Sequence, residues 1–322
     1  MRILITGGSG FIGTNYVQDC IERNITFINV DIKSPLESSH VKYWKQCDIL
    51  NLDLLGKVFA DFKPTVVLHL AARTDTDIYD LNGDLNEYIV NTRGTDNVLE
   101  CIKQTSGIER VIITSTMFVC KPGYVPEHDQ DFSPFTLYGV SKKNTEIATR
   151  QADLKCVWTI IRPQTIWGPW SFRYKEKMFA VMKRGLYFHP SKKNVYRAYG
   201  YVGNVVWQIN QILEAPAEKV NQQVFYVGDA PVNLLDWVNC VSDELIQKPV
   251  RVLPTFFIRT LAITGDALSL FKVSFPITTT RFNSMTENYI TDIDKTFKVL
   301  GQPKYTMQRG VKDFVTWYRK VS

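Results

Sequence analysis

The chain has 322 residues, of which 45% are hydrophobic, 22% charged and 12% aromatic. That is an ordinary folded composition, sized for two domains or one large core, and it excludes a disordered or collagen-like chain. The charge is 38 − 32 = +6, with Lys and Arg spread along the whole length. This speaks against the single basic stripe of a nucleic-acid binder and suits an anionic small molecule.

Six cysteines show no C-x-x-C or paired spacing and four histidines form no ligand cluster, so neither a disulfide framework nor a metal site is expected. There is no apolar run of about 18 residues and no leader-like start, so no transmembrane segment is expected and the cytoplasm is the expected location.

In chain order, residues 2–6 read as a short strand ending abruptly in Gly7-Gly8-Ser9-Gly10, and residues 12–22 as a helix. Further apolar runs follow at 26–30 (ending at Asp31), 65–70 (ending at Ala71-Ala72), 110–113 and 158–161. Helical patterns at 87–103 and 141–152 separate them. Short strands alternating with helices predict right-handed crossovers and a parallel sheet, the doubly wound α/β class. Beyond Trp170 the rhythm breaks into an aromatic, basic stretch, followed by a helix at 204–213, a strand at 224–227 and a helix at 234–245. The expected organisation is a dinucleotide-binding domain at 1–169, its sheet completed by about 204–229, interleaved with a smaller substrate lobe over most of 170–322.

The glycine loop Thr6-Gly7-Gly8-Ser9-Gly10-Phe11-Ile12-Gly13 joins the first strand to the first helix. Gly7 suits a tight turn, Gly10 a close backbone approach to a pyrophosphate, and Gly13 close helix–strand packing. The helix N-terminus then points its dipole and free N–H groups at the phosphates. Glycines alone mark ordinary turns, but here a strand precedes, a helix follows, and Asp31 ends the second strand. A carboxylate at that strand end accepts the adenosine ribose hydroxyls and repels a 2′-phosphate, so NAD is the expected cofactor. Neighbouring Lys33 keeps NADP open.

The second constellation is Tyr138-Gly139-Val140-Ser141-Lys142. Residues four apart share a helix face, which sets an ammonium near a phenol. A free phenol is a poor base at neutral pH. An adjacent cation, together with a cofactor's positive ring, is expected to draw its pKa down toward the working range. By itself the pattern is common on solvated helices; after a glycine loop and the strand end Thr114-Ser115-Thr116 it carries more weight.

These motifs together resemble the extended short-chain dehydrogenase/reductase family, in its NAD-dependent epimerase/dehydratase branch. The resemblance rests on Thr6 through Gly13, His69-Leu70-Ala71-Ala72, Asn91 to Thr95, Thr116, Tyr138 with Lys142, and Arg162-Pro163-Gln164-Thr165-Ile166-Trp167-Gly168-Pro169. It continues through Arg197 before Tyr201-Val202-Gly203-Asn204-Val205-Val206, Arg281 before 289–295, Leu300-Gly301-Gln302-Pro303 and Trp317. It implies a Rossmann fold and a catalytic set of Tyr138 as general acid/base, Lys142 tuning it and holding the nicotinamide ribose, and Thr116 donating to the reacting oxygen. The implied cofactor residues are Gly7, Gly10, Phe11, Ile12, Gly13, Asp31, Asp48, Ile49, Leu70, Ala71, Ala72, Asn91, Tyr138, Lys142 and Pro163. Arg73, Thr116, Thr165, Arg197 and Arg281 are implied at the substrate, the last two arginines on a diphosphate, although either could equally serve surface solubility.

Several positions depart from the family's pattern. Dehydratases carry Asp-Glu after the catalytic Thr, where this chain has Met117 and Phe118, so water elimination is not expected. Val119-Cys120-Lys121 replaces Val-Tyr-Gly, Thr165 replaces an Asn, and Asn204 an Asp. The expected function is epimerisation or reduction at a carbinol carbon of a nucleotide sugar by a homodimer. The alternative enzyme is a dehydrogenase of a non-sugar alcohol or ketone, of the hydroxysteroid or flavonol reductase kind. A non-catalytic dinucleotide sensor on the same fold typically loses the Tyr or the Lys, and this chain keeps both. The apolar stretch 253–265, with 268–275 after it, reads as a buried lobe helix, with a subunit contact or a membrane-surface helix as alternatives.

Overall fold

A computed structural model describes residues 1–74, 81, 83–270 and 277–321. The chain divides into two compact units. The first comprises Met1–Thr165, Val202–Gly228 and Asp292–Lys304; the second comprises Ile166–Tyr201, Asp229–Thr291 and Tyr305–Ser322.

The first unit is built on a seven-stranded sheet. Its strands are β1 (Arg2–Thr6), β2 (Thr26–Asp31), β3 (Trp44–Gln46), β4 (Val66–His69), β5 (Arg110–Thr114), β6 (Val157–Pro163) and β7 (Gln223–Val227). Their spatial order is β7-β6-β5-β4-β1-β2-β3, and every adjacent pair is parallel. Ile3, Leu4, Ile5, Val67, Leu68, Ile113, Ile160 and Ile161 have no exposed surface. Such unbroken apolar runs, without polar alternation, are what a parallel sheet covered on both faces requires.

Helices α1 (Phe11–Glu22), α2 (Leu52–Phe62), α3 (Arg93–Gln104), α4 (Leu137–Gln151) and α5 (Val202–Glu214) flank the sheet sequence. Sequence order reverses between β1 and β4, so the crevice beyond their carboxyl ends is the place where a doubly wound sheet accepts a ligand.

Two boundaries differ from the sequence expectation. The pattern at 87–103 predicts one helix, but the chain forms a single 3-10 turn at Leu85–Tyr88 and only then α3. Asn91 lies in the break, where its side chain bonds to the Arg73 backbone and to Ser141 of α4. Residues 292–304, assigned by sequence to the lobe, belong to the first unit. There the short helix Asp294–Leu300 hydrogen-bonds through the Thr296 hydroxyl to the Tyr226 carbonyl, 2.6 Å away.

The second unit has its own aromatic core. Trp167 meets Tyr201 at 5.2 Å and Trp237 at 5.6 Å between ring centroids, and Phe179 meets Phe314 at 4.6 Å. Its helices include α6 (Leu234–Ile246), α7 (Thr255–Leu270), α8 (Thr279–Thr286) and α9 (Met307–Val321). The apolar stretch beginning at 253 is only half interior, contrary to the burial expected for it. Ile258 and Ala262 pack with Phe282, while Phe256 and Ile263 on the other side of α7 are exposed. Of the 268–275 part of that stretch, residues 271–275 lie outside the described residues.

Candidate active site

The glycine loop turns at Gly7, whose φ of +74° favours glycine. A Cβ there would sit 2.5 Å from the Ala71 nitrogen, so the loop after β1 and the loop after β4 touch at backbone distance. At Gly13 a Cβ would come within 2.2 Å of the Gly7 carbonyl oxygen. Helix α1 therefore starts hard against the turn. No side chain caps it at Gly10, which leaves the N–H groups at Phe11 and Ile12 in the position a pyrophosphate uses.

Asp31 closes β2 and points back to this loop. One carboxylate oxygen accepts the Ser9 N–H at 3.0 Å and the other accepts the Lys33 N–H at 2.9 Å. Each oxygen has a second lone pair for a ribose hydroxyl. Asp48 is exposed, with one oxygen on the Leu50 N–H at 2.9 Å. It lines a surface depression of about 480 Å3 with Leu50, Asn51, Arg93 and Asn97. Ile49 is buried and its carbonyl accepts from Asn97 at 2.9 Å. Leu70, Ala71 and Ala72 follow β4 and are half-buried, and Pro163 ends β6 in the interior. A glycine cradle that any Cβ would fill, an uncapped helix and an acid at the next strand end fit a dinucleotide.

Helix α4 delivers Tyr138 and Lys142. Thr136 caps it by accepting the Gly139 N–H at 2.9 Å. Gly139 is required because a Cβ would lie 2.4 Å from the Phe118 carbonyl oxygen, so the first turn of the helix presses on the loop after β5. That loop carries Thr116. Its hydroxyl accepts the Phe118 N–H at 3.3 Å and acts on the Tyr138 phenol. Lys142, 1% exposed, donates from Nζ to the Thr114 carbonyl at 2.8 Å. The three expected catalytic side chains thus gather within the first unit.

The electrostatics differ from the expectation. Burial pushes the Tyr138 phenol up to about 12; the Thr116 hydroxyl works against this and the Tyr88 hydroxyl adds to it. Lys142 does not reverse the balance because burial draws it down to about 7, only partly offset by Glu146. Its Nζ is turned to a backbone carbonyl.

Around the trio lies a polar network that holds it. His69 Nε2 meets the Thr95 hydroxyl at 3.1 Å and Nδ1 meets the Thr6 hydroxyl at 2.7 Å. Thr95 spends its proton on the Asn91 carbonyl, 2.7 Å away. Nε2 is therefore the donor and the ring is neutral, in keeping with a value drawn down to about 3 by burial and by Lys142. The Asn91 side chain is engaged by protein partners: Oδ1 accepts the Arg73 N–H at 2.7 Å, and Nδ2 donates to the Arg73 carbonyl and the Ser141 hydroxyl, both at 2.9 Å. Arg73 pairs with Glu87 at 3.2 Å and lies 5.3 Å over the Tyr88 ring, which packs 6.2 Å from Tyr138.

Thr165 is half-buried, its hydroxyl 3.8 Å from the Met117 sulfur. Met117 and Phe118 stand where an acid and a base would be needed for dehydration, and Phe118 packs edge-on to Tyr138 at 6.3 Å. Arg197 and Arg281 belong to the second unit. Arg197 donates to the Glu287 carbonyl at 3.2 Å and lies over Tyr289; Arg281 is exposed on α8. Among the described residues no group of three or more His, Cys, Asp or Glu could hold a metal ion.

The sequence reading missed the ion pair behind the trio. Glu146, fully buried, accepts from the Ser115 hydroxyl at 2.6 Å and from Arg162 at 2.8 and 2.9 Å. It lies four residues past Lys142, on the same face; that spacing marks Glu146 itself, though not its partner Arg162.

Comparison with known proteins agrees with this geometry. The model of the NAD dependent epimerase/dehydratase family matches residues 3–228. Protein CapI of Staphylococcus aureus is 25% identical, over 99% of this chain and 98% of that protein. N-acetyl-alpha-D-glucosaminyl-diphospho-ditrans,octacis-undecaprenol 4-epimerase of Escherichia coli O157:H7 is 27% identical, over 88% of this chain and 87% of its own. The crystal structure of UDP-glucose 4-epimerase with UDP-glucose from Thermotoga maritima superposes with a TM-score of 0.75 at 22% identity, covering 100% and 99% of the two chains, a likeness of fold. The glycine cradle, the acid at the end of β2 and the Tyr–Lys helix all fall inside the matched span, and the chain belongs to the NAD-dependent epimerase/dehydratase family.

Proposed function

We propose that the chain is an NAD-dependent epimerase acting at a carbinol carbon of a nucleotide sugar, with Tyr138 as the general acid/base. The observation that carries the reading is Tyr138 and buried Lys142 one turn apart on α4, whose first turn presses on the loop that carries Thr116.

The glycine loop would hold the pyrophosphate on the N–H groups of α1, and Asp31 would take the ribose hydroxyls and favour NAD over NADP. When bound, NAD supplies the acceptor and donor for the hydride. Tyr138 takes the proton from the substrate hydroxyl as its carbon is oxidised to a ketone, and returns it after the other face is reduced. The phenol, held as high as about 12 by burial, would have to ionise before it accepts that proton, which a positive nicotinamide ring beside it would favour. Once protonated by the substrate, it is the donor to the ketone oxygen as the other face is reduced. Thr116 orients the reacting oxygen, and Lys142 donates toward the ribose.

The absence of acid and base at Met117 and Phe118 supports epimerisation over dehydration. Arg73, Thr165, Arg197 and Arg281 are proposed substrate contacts, and the enzyme is proposed to act as a cytoplasmic homodimer. The test is incubation of the purified chain with NAD and a panel of uridine- and thymidine-diphosphate sugars, with products resolved by proton NMR. An epimer formed with no net change in the reduced-nicotinamide absorbance is expected. Stoichiometric NADH from a sterol or simple alcohol would establish the dehydrogenase alternative, and no turnover of any nucleotide sugar would overturn the reading.

A further inference from the structure

Helix α7 is apolar on both sides, yet only one side is covered. Ile258 and Ala262 face Phe282, Phe188, Leu253 and Ile277. On the opposite face Phe256 is 63% exposed, Phe257 52%, Leu261 39% and Ile263 59%. At helical spacing, Phe256, Thr260, Ile263 and Ala267 form one row and Phe257, Leu261 and Thr264 the next, an uncharged stripe about 160° wide.

The two threonines do not break it. Thr260 donates its hydroxyl to the Phe256 carbonyl and Thr264 to the Thr260 carbonyl, each at 3.0 Å, which takes up both hydroxyl protons within the helix. The Phe256 and Phe257 rings lie 4.0 Å apart and form the broad end of the stripe.

The neighbouring stretches of chain are mostly basic. Residues 183–201 hold five basic residues and no acid, and residues 247–286 hold five basic residues and one acid, Asp266. That acid is directed at the start of α8, where it accepts the Thr279 N–H at 3.1 Å. The strand Arg251–Val252 pairs with Phe188–His189, and the Thr255 hydroxyl donates to the Pro190 carbonyl at 2.8 Å. These links bring exposed Lys192, Lys193, Lys248 and Arg251 to the end of α7 that bears the two phenylalanines, and exposed Arg259 borders the stripe.

We propose that α7 docks this chain on an anionic lipid bilayer, with Phe256 and Phe257 entering the interface and the basic cluster facing the headgroup phosphates. Sixteen residues make a helix about 24 Å long, and no described helix is long and apolar enough to cross a membrane. An amphipathic helix with aromatics at one end and basic residues on its flank lies in the interfacial plane. A second copy of the chain is a poorer occupant. A two-fold contact sets each patch against itself, which would bring the same cations together. This inference stands on the second unit alone and does not depend on the proposed reaction.

The test is co-sedimentation of the full chain with vesicles of phosphatidylcholine alone and of phosphatidylcholine mixed with phosphatidylglycerol. Binding to the mixed vesicles is expected, about tenfold or more tighter than to the neutral ones and weakened by added salt. The double variant Phe256→Ser/Phe257→Ser should lose binding by about tenfold or more, and Lys192→Glu/Lys193→Glu should lose the preference for anionic vesicles. All four positions are exposed, so near-ultraviolet circular dichroism and the melting temperature should match the parent chain. Failure of the parent chain to bind either vesicle would overturn the proposal, as would undiminished binding by the phenylalanine variant. So would a dimer in sedimentation velocity that the phenylalanine variant dissociates while vesicles are ignored, since α7 would then be a contact between copies.

Discussion

Replacing Glu146 with Gln removes one charge from a fully enclosed pair and keeps the shape. The carboxylate has no exposed surface and the Arg162 guanidinium 1%. Glu146 accepts two bonds from Arg162 at 2.8 and 2.9 Å and one from Ser115 at 2.6 Å; Arg150, at 3.3 Å, adds a longer contact. After Glu146→Gln the guanidinium keeps one amide oxygen, the Asp129 carbonyl and the Tyr226 hydroxyl as acceptors, none of them charged. Stranding a buried charge in this way costs about 3–5 kcal/mol, a large part of the roughly 5–15 kcal/mol that holds a domain together. Removing both charges with Glu146→Leu/Arg162→Met should recover much of that loss, because no ion is then stranded. It leaves Ser115, the Asp129 carbonyl and Tyr226 to find other partners, at about 1–3 kcal/mol in all. Urea unfolding followed by tryptophan fluorescence and by far-ultraviolet circular dichroism measures both variants. A loss below about 1 kcal/mol for Glu146→Gln, or a double variant worse than the single one, would refute the assignment of a tightly coupled buried pair.

Gly13→Val should reduce NAD affinity by about tenfold or more, read by fluorescence titration, because even a Cβ falls 2.2 Å from the Gly7 carbonyl oxygen. Lys142 predicts a pH effect of defined sign. Its folded pKa is about 7 against 10.5 for the free side chain, so the folded chain binds fewer protons between these values and stability rises with pH across them. Tyr138, raised from 10.0 to about 12, opposes this only above about pH 10. The difference in urea midpoint between the parent and Lys142→Met should therefore change steadily from pH 7 to 9; a constant difference would contradict a lysine lowered by burial. His69 acts at the acid end. Its value falls from 6.5 to about 3, so the unfolded chain protonates first and stability drops as pH falls through that window, by on the order of 5 kcal/mol in full. His69→Gln should flatten this part of the profile.

The features legible in the sequence are those made by neighbours along the chain. Gly7, Gly10 and Gly13 sit in one turn between a strand and a helix, Asp31 ends the next strand, and Tyr138 and Lys142 are one helical turn apart, so local spacing sufficed to group each set. The sheet followed from runs such as Ile3-Leu4-Ile5, whose lack of polar alternation demands two covered faces. The Glu146–Arg162 pair was not legible because its partners are 16 residues apart, on a helix and a strand that only the packed fold brings together. Asn91 matched a motif but not its surroundings: that its amide would be taken up by the Arg73 backbone and Ser141 depends on where the loop after β4 meets α4. The pKa of Tyr138 could not be read from the nearby lysine, because burial governs both groups and it lowers the cation's charge while raising the phenol. The outer face of α7 has the composition of a core helix, and only the placement of Phe282 and Phe188 distinguishes its covered side.

The central claim is that the Tyr138 oxygen moves the proton. Tyr138→Phe removes that oxygen from a side chain that is 7% exposed and leaves the ring packing intact. The decisive measurement is kcat of this variant on the nucleotide sugar that the parent chain epimerises, beside its NAD affinity. A fall in kcat of about 10²–10⁴-fold with NAD affinity unchanged is predicted. Turnover equal to that of the parent would contradict the account.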